Sequence, residues 1–283
     1  MQCPTPITIK DKSARNPHKL DKKMIDVPCG RCGICKKNRR AEWTFRLREE
    51  LKDAENCSFV TLTYNEENLP YNDVTGEITL FKKDLQDFNK RLREFEYKIT
   101  KKRKLRYYAI GEYGSNTKRP HYHVLYFNIS KNGLNELPNI WKQGHTDIGT
   151  VTPASIHYVT KYHVNRQHLT NEDIQPEFAL MSQALGRGYI KRNKQYHLDT
   201  EHTFVYMDGY KINMPRYFRE KIFDEHTRFK LSLENEKNSQ VIDDKEAVRL
   251  KKLGYENPYY EIWQRSLHKA KKIKNKSQDD DKL

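Results

Sequence analysis

Two short segments of strand-forming residues, joined by a loop of turn formers, constrain this chain more than any other feature of its sequence. Residues 105–113 (LRYYAIGEY) and 120–128 (PHYHVLYFN) are dominated by aromatic, aliphatic and β-branched side chains, and Gly114, Ser115 and Asn116 lie between them. Such residues fit a pleated, half-buried surface and such a loop reverses the chain, so a β-hairpin is expected here. Successive side chains of a strand point to opposite faces. His121 and His123 therefore share one face, and Tyr122 and Val124 share the other. A hairpin centred between Asn116 and Thr117 sets Glu112 directly across from His121, because the two are equidistant from that centre. Opposed residues share a face, so one carboxylate and two imidazoles are expected at a single spot. A mixed N/O set of this kind suits a divalent ion that keeps positions open for a phosphate oxygen and water. The competing reading is two half-buried histidines beside an ordinary surface carboxylate.

The segments around the hairpin supply the rest of a layered fold. Trp43, Leu47, Leu51 and Ala54 recur at helical spacing, predicting an amphipathic helix over 36–54. Residues 57–64 (CSFVTLTY) read as a strand, followed by the turn-rich NEENLPYND. Leu85, Phe88, Leu92, Phe95 and Ile99 step by three and four, marking a helix whose stripe should lie on a sheet. A short helix near 133–142 and a strand near 146–152 lead to Ser155, which is expected to cap a helix running to about 166. Met207-Asp208-Gly209-Tyr210 suggests a second hairpin, and Pro215 opens a helix within 215–223. Beyond about residue 231 the chain is polar and charged, and is expected to be partly helical with a disordered end. The fold class that accommodates all of this is α/β (α+β): a central antiparallel sheet of about five strands flanked by helices. The two histidines belong on an inner strand, with the helix after Ser155 packed beside it.

That helix carries a second group of reactive side chains. At 100° per residue, Tyr158, Lys161, Tyr162 and Asn165 fall within about 100° of arc, opposite Ile156, Val159 and His163. A tyrosine nucleophile must lose its proton or have its oxyanion stabilised, since its ordinary pKa is about 10. Lys161, one turn from Tyr158 and adjacent to Tyr162, is positioned to do this electrostatically. Alternatively, the two phenols form an i,i+4 aromatic pair that packs on the sheet.

Charge narrows the class of partner. Lys+Arg 53 against Asp+Glu 38 gives a net charge of +15, and 18 Tyr supply flat faces on which unpaired bases stack, which points to single-stranded nucleic acid. The runs KITKKRKLR (98–106) and KKNRR (36–40) are candidate phosphate contacts or else solvated charged faces. No G-x-x-x-x-G-K-[ST] motif is present, so the sequence shows no P-loop motor of its own. The absence of any run of 18 apolar residues, and of an apolar stretch in MQCPTPITIK, predicts a soluble cytoplasmic protein. Five cysteines, three of them in Cys29-x2-Cys32-x2-Cys35, suit a reducing compartment better than a disulfide framework. With Cys3 or Cys57 as a fourth ligand the cluster would make a structural zinc site. Reduced, unliganded thiols and an iron–sulfur centre are the other readings, the last lacking the next Cys of the ferredoxin run because position 39 is Arg.

The ordered set FVTLTY (59–64), AIGEYG…RPHYHVLYF (109–127) and YVTKY (158–162) resembles the three motifs of the HUH endonucleases, the rolling-circle replication initiators. More closely, the chain resembles the initiators of gokushovirus-type microviruses, small single-stranded DNA phages. That likeness includes VPCGRCGIC (27–35), DLQDFNKRLR (84–93) and PRYFREKIF (215–223), and covers roughly residues 24–225. The resemblance implies a site-specific nick in single-stranded DNA at a replication origin. A Mg²⁺ or Mn²⁺ held by Glu112, His121 and His123 would polarise the phosphate, and Tyr158 and Tyr162, aided by Lys161, would be the nucleophiles. It further implies a 5′-phosphotyrosine intermediate, strand joining by reversal, a host helicase and DNA polymerase as partners, and the host bacterial cytoplasm as location. The expected organisation is an N-terminal Cys cluster and basic helix over 1–55, the nuclease domain over 56–230, and a charged tail over 231–283. Alternatives are a transposase or plasmid relaxase with the same chemistry, or a non-catalytic zinc-stabilised nucleic-acid-binding protein.

Overall fold

The computed structural model describes residues 3–10, 24–114, 116–161 and 174–279, with the side chains of 276–279 excepted. An antiparallel pair, β1 (Ile7–Lys10) and β2 (Met24–Val27), precedes helix α1 (Gly33–Asp53). Then follow β3 (Cys57–Thr63), α2 (Lys82–Thr100), β4 (Arg106–Tyr113), β5 (Pro120–Phe127), α3 (Lys131–Trp141), β6 (Thr146–Thr150) and α4 (Pro153–Lys161). The chain continues through β7 (Phe178–Met181), α5 (Gly188–Thr200), β8 (Phe204–Met207), β9 (Tyr210–Asn213), α6 (Arg216–Ile222), α7 (Glu225–Lys252) and α8 (Pro258–Asp279). Contacts group these elements into two units: Met1–Ala41 with Phe223–Leu283, and Glu42–Ile222.

The second unit is built on an antiparallel five-stranded sheet in the order β6-β3-β5-β4-β7. This is the expected α/β arrangement, and β5, which carries the two histidines, is the central strand. Its alternation sorts side chains between two helical layers. On one face Val60, Leu62, Tyr122, Val124 and Tyr126 pack with Leu85, Phe88 and Leu92 of α2 and Leu137 and Trp141 of α3. On the other, Tyr108, Ile110, Leu125 and Phe127 pack with Leu47 of α1 and Ile156 and Val159 of α4. Each such buried side chain contributes about 1.5–3 kcal/mol of transfer free energy, which makes the register costly to slip. Gly111 sits where β4 passes between two rings: a Cβ there would lie 2.9 Å from the Phe178 ring and 3.1 Å from Tyr122.

The expected helices and strands are found with small shifts of boundary. The α2 stripe leaves the core at its last turn, where Ile99 is exposed. Between β8 and β9, Asp208 and Gly209 both take positive φ (52° and 76°), the geometry of the two-residue hairpin the sequence suggested. Two expectations need correction. Ser155 is not the N-cap of α4: Thr152 is, its Oγ1 accepting from the Ser155 amide at 3.2 Å while the Ser155 hydroxyl accepts from the Thr152 amide at 3.2 Å. The C-terminal helices begin earlier than residue 231, because the Asp224 carboxylate accepts from the Thr227 amide at 2.7 Å and starts α7 at Glu225. No helix among the described residues is long and apolar enough to cross a membrane.

Candidate active site

The β4–β5 hairpin places Glu112 opposite His121, in the register expected from the loop centre. Gly114 donates its amide to the Arg119 carbonyl at 2.9 Å, which closes the loop and fixes that register. Glu112 is almost wholly buried, and its Oε1 accepts from His121 Nε2 at 2.7 Å and lies 3.1 Å from His123 Nε2. Burial pushes the Glu112 carboxyl up, but its bonds to His121, His123 and Tyr158 more than offset this and hold it below the usual carboxylate range. Both ring nitrogens of His121 face oxygen acceptors, Glu112 Oε1 and, at 3.2 Å, the Arg119 carbonyl. In the metal-free protein this ring therefore carries both protons. Its pKa is accordingly raised: burial pulls it down, and the hydrogen bond and charge of Glu112 outweigh that pull.

Helix α4 brings the phenol. Ile156 and Val159 bury one side of the helix against the sheet, and Thr160 Oγ1 meets Thr44 Oγ1 of α1 at 3.0 Å. With that face fixed, Tyr158 turns toward the histidines and donates its hydroxyl to Glu112 Oε1 at 2.6 Å, with His123 Nε2 at 3.5 Å. Its ring meets His123 edge-on, centroids 5.1 Å apart, yet 37% of the residue stays exposed, leaving a path for a substrate to reach the oxygen. Lys161, half-buried, ends the described part of α4 one turn further on. Tyr162 lies outside the described residues, as do Asn165 and His163.

The donor set fits a divalent cation. One ligand atom each from Glu112, His121 and His123 lies within 4.8 Å of the others, and Glu112 Oε2 is buried with no hydrogen-bond partner among the described residues. A buried carboxylate oxygen left without a donor is costly, and coordination to a cation is the usual remedy. Two residues that sequence reasoning missed orient the second imidazole. Thr61, paired with His123 across β3 and β5, meets His123 Nδ1 at 3.0 Å, and Phe59 stacks on the same ring at 5.3 Å. Both histidines thus turn Nε2 toward Glu112, the second-layer arrangement that metal-binding imidazoles need. The alternation of FVTLTY already put Phe59 and Thr61 on one face; only the β3–β5 register was lacking.

A family model for replication-associated protein ORF2 matches residues 57–167, from the start of β3 to beyond α4. The replication-associated protein VP4 of Bdellovibrio phage phiMH2K is 31% identical over 230 residues, covering 71% of this chain and 70% of that protein. The chain belongs to the replication-associated protein family of gokushovirus-type microviruses. Replication-associated protein ORF2 of Spiroplasma virus 4 is 28% identical, covering 76% of the chain and 73% of the relative. Replication-associated protein ORF4 of Chlamydia phage 1 is 25% identical over 75% of the chain, which spans 58% of that longer protein. No solved structure matches. In this replication-associated protein the family match encloses Glu112, His121, His123 and Tyr158, so the centre lies within the shared segment.

The cysteine cluster lies outside it. Cys29, Cys32 and Cys35 converge as their spacing suggested, and Cys3 joins them, all four sulfurs within 4.8 Å of one another. Cys57, the other candidate for fourth ligand, is the first residue of β3, where it pairs with Phe127. Burial pushes the Cys29 thiol up, but hydrogen bonds from Thr5 and from the Cys32 and Arg31 amides outweigh it and bring the pKa to about 6. Cys35 is pushed up, chiefly by burial.

Proposed function

We propose that this protein is a rolling-circle replication initiator: a site-specific endonuclease that nicks single-stranded DNA at the origin, holds the 5′ end as a phosphotyrosine and rejoins strands. The observation that carries this reading is Tyr158 Oη, 2.6 Å from the same Glu112 oxygen on which His121 and His123 converge. Nucleophile and candidate cation site thus meet within one hydrogen bond, the arrangement that metal-assisted attack on a phosphodiester requires.

The residues that would hold Mg²⁺ or Mn²⁺ are Glu112, His121 and His123; bound there, such an ion supplies polarisation of the scissile phosphate and dispersal of its developing charge. Tyr158 does the covalent work. Its Oη forms a bond to phosphorus while the bond to the 3′ oxygen breaks; the phenolic proton leaves and the departing 3′ oxygen takes one up, so a 3′ hydroxyl is released. The ester count is unchanged, hence reversal joins strands without ATP. Lys161, a positive charge one turn along α4, favours the phenolate. Tyr162 on the same helix is the second nucleophile, taking over after a round of synthesis. Single-stranded DNA is the partner, with its phosphates met by the basic segments. A host helicase and DNA polymerase in the bacterial cytoplasm complete the reaction by separating and copying the strands.

The test is adduct formation on origin-strand oligonucleotides with Mn²⁺. Tyr158→Phe with Tyr162→Phe should abolish the covalent DNA–protein species and leave DNA binding intact, and His121→Ala should abolish divalent-dependent nicking. Adducts persisting in the double variant, or full activity of His121→Ala in excess chelator, would overturn the proposal.

A further inference from the structure

We propose that Cys3, Cys29, Cys32 and Cys35 form a closed four-thiolate site for one Zn²⁺ that staples the start of the chain to the first turn of α1 and seats α8 there. The site is independent of the nuclease chemistry and stands on its own geometry.

Four sulfurs within 4.8 Å of one another leave room for a single ion between them. A regular tetrahedron with Zn–S of about 2.3 Å has sulfurs about 3.8 Å apart. Cys3 Sγ and Cys32 Sγ are separated by 3.8 Å. A disulfide requires about 2.05 Å and would leave two of the four without purpose. A multi-iron cluster places several iron and sulfide atoms among its thiolates and holds them further apart than this. Four soft thiolates in a tetrahedral, closed set select zinc for a structural role.

The backbone is shaped for thiolates. The Cys32 amide donates to Cys29 Sγ at 3.3 Å, the Arg31 amide to Cys29 Sγ at 3.4 Å, the Cys35 amide to Cys32 Sγ at 3.4 Å and the Cys29 amide to Cys3 Sγ at 3.4 Å. Gly30, at φ 71°, makes the turn that aims two of these amides back at Cys29. Donors directed at sulfur stabilise the anion rather than the thiol. Zn²⁺ binding displaces a proton from each cysteine still in the thiol form, and nothing is oxidised or reduced.

The ligands are far apart in sequence, and the helix α8 rests on the residues beside them. Trp263 Nε1 donates to the carbonyl of Pro4, next to Cys3, at 2.9 Å. Gly33, next to Cys32, packs so closely that a Cβ there would lie 2.3 Å from the Ala270 carbonyl oxygen. A metal that fixes Cys3 against Cys32 therefore fixes both contacts of α8.

The experiment loads the full chain with Co²⁺ in place of zinc and reads the sulfur-to-cobalt charge-transfer band, which the Glu112–His121–His123 set cannot produce. We expect a band of four-thiolate intensity, reduced by about one quarter in Cys3→Ser and unchanged in Cys57→Ser; native mass spectrometry of the chain as purified should show one zinc. Hydrogen exchange adds a reading that does not depend on Cys3→Ser folding: on removing zinc from the unaltered chain, amides of α8 should exchange faster while those of β5 do not. No thiolate band, a smaller band in Cys57→Ser, full intensity in Cys3→Ser, or α8 exchange indifferent to zinc would each overturn the proposal.

Discussion

Thr61→Val separates the metal-centre account from a packing account more cleanly than removal of a ligand does. For His123 Nε2 to offer a lone pair to a cation, its proton must sit on Nδ1, and the acceptor facing Nδ1 is Thr61 Oγ1 at 3.0 Å. Valine keeps the branched shape that suits β3 and deletes only the hydroxyl; Phe59, 5.3 Å away, still holds the ring in place. The ligating tautomer is then left with a desolvated N–H and no partner, a cost of about 1–3 kcal/mol. At about 1.4 kcal/mol per decade this is roughly a 5- to 150-fold loss of affinity, in line with the ~10–100-fold seen when outer-layer partners of metal-binding histidines are removed. Titration calorimetry with Mn²⁺ should show this loss for Thr61→Val and recovery of most of it in Thr61→Ser. The nicking rate of Thr61→Val should approach that of the parent at saturating Mn²⁺, because the chemistry itself is untouched. Unchanged Mn²⁺ affinity in Thr61→Val would refute the reasoning, and Thr61→Ser as weak as Thr61→Val would assign the effect to altered packing.

Three further outcomes are expected. Because the metal-free protein raises the His121 pKa, burial notwithstanding, the cation competes with a proton: affinity should rise with pH until His121 deprotonates and level off above, and calorimetry in buffers of different ionisation enthalpy should detect proton release. A pH-independent affinity would contradict this. Trp141 is fully buried and its Nε1 donates to the Thr63 carbonyl at 2.9 Å, so Trp141→Ala should lose about 3–5 kcal/mol of stability in denaturant unfolding, and a loss under about 1 kcal/mol would show that α3 is not part of the cooperative core. Binding of single-stranded DNA should weaken steeply with salt, and replacing Lys102 and Arg103 by alanine should lower the log–log slope by ~0.7 for each phosphate the protein no longer neutralises; an unaltered slope would remove that segment from the interface.

The parts of the site legible in the sequence were those set by local geometry. The match of Glu112 with His121 followed from counting outward along one short hairpin, and Tyr158 from the helical phase that buries Ile156 and Val159. Residues brought together by long-range pairing carried no such signal. β7 is four residues long and gains its place only by pairing with β4, so FALM offered no pattern of its own. Thr61 became visible as the partner of His123 only once β3 was aligned on β5. Cys3 is separated from Cys29 by a long stretch of chain, and the choice between it and Cys57 rested on tertiary packing that no spacing rule encodes. The cap of α4 was misplaced because Thr152 and Ser155 are both good capping residues, and their reciprocal bonds decide which comes first.

The most direct measurement of the central claim, that phenol and cation site act on one phosphate, is the chemical identity of the protein–DNA link. Wild-type protein incubated with Mn²⁺ and an origin-strand oligonucleotide should yield, after proteolysis and tandem mass spectrometry, a nucleotide joined through its 5′ phosphate to Tyr158 or Tyr162. A nucleotide carried by any other residue, or cleaved DNA bearing a free 5′ phosphate with no linked peptide, would contradict it.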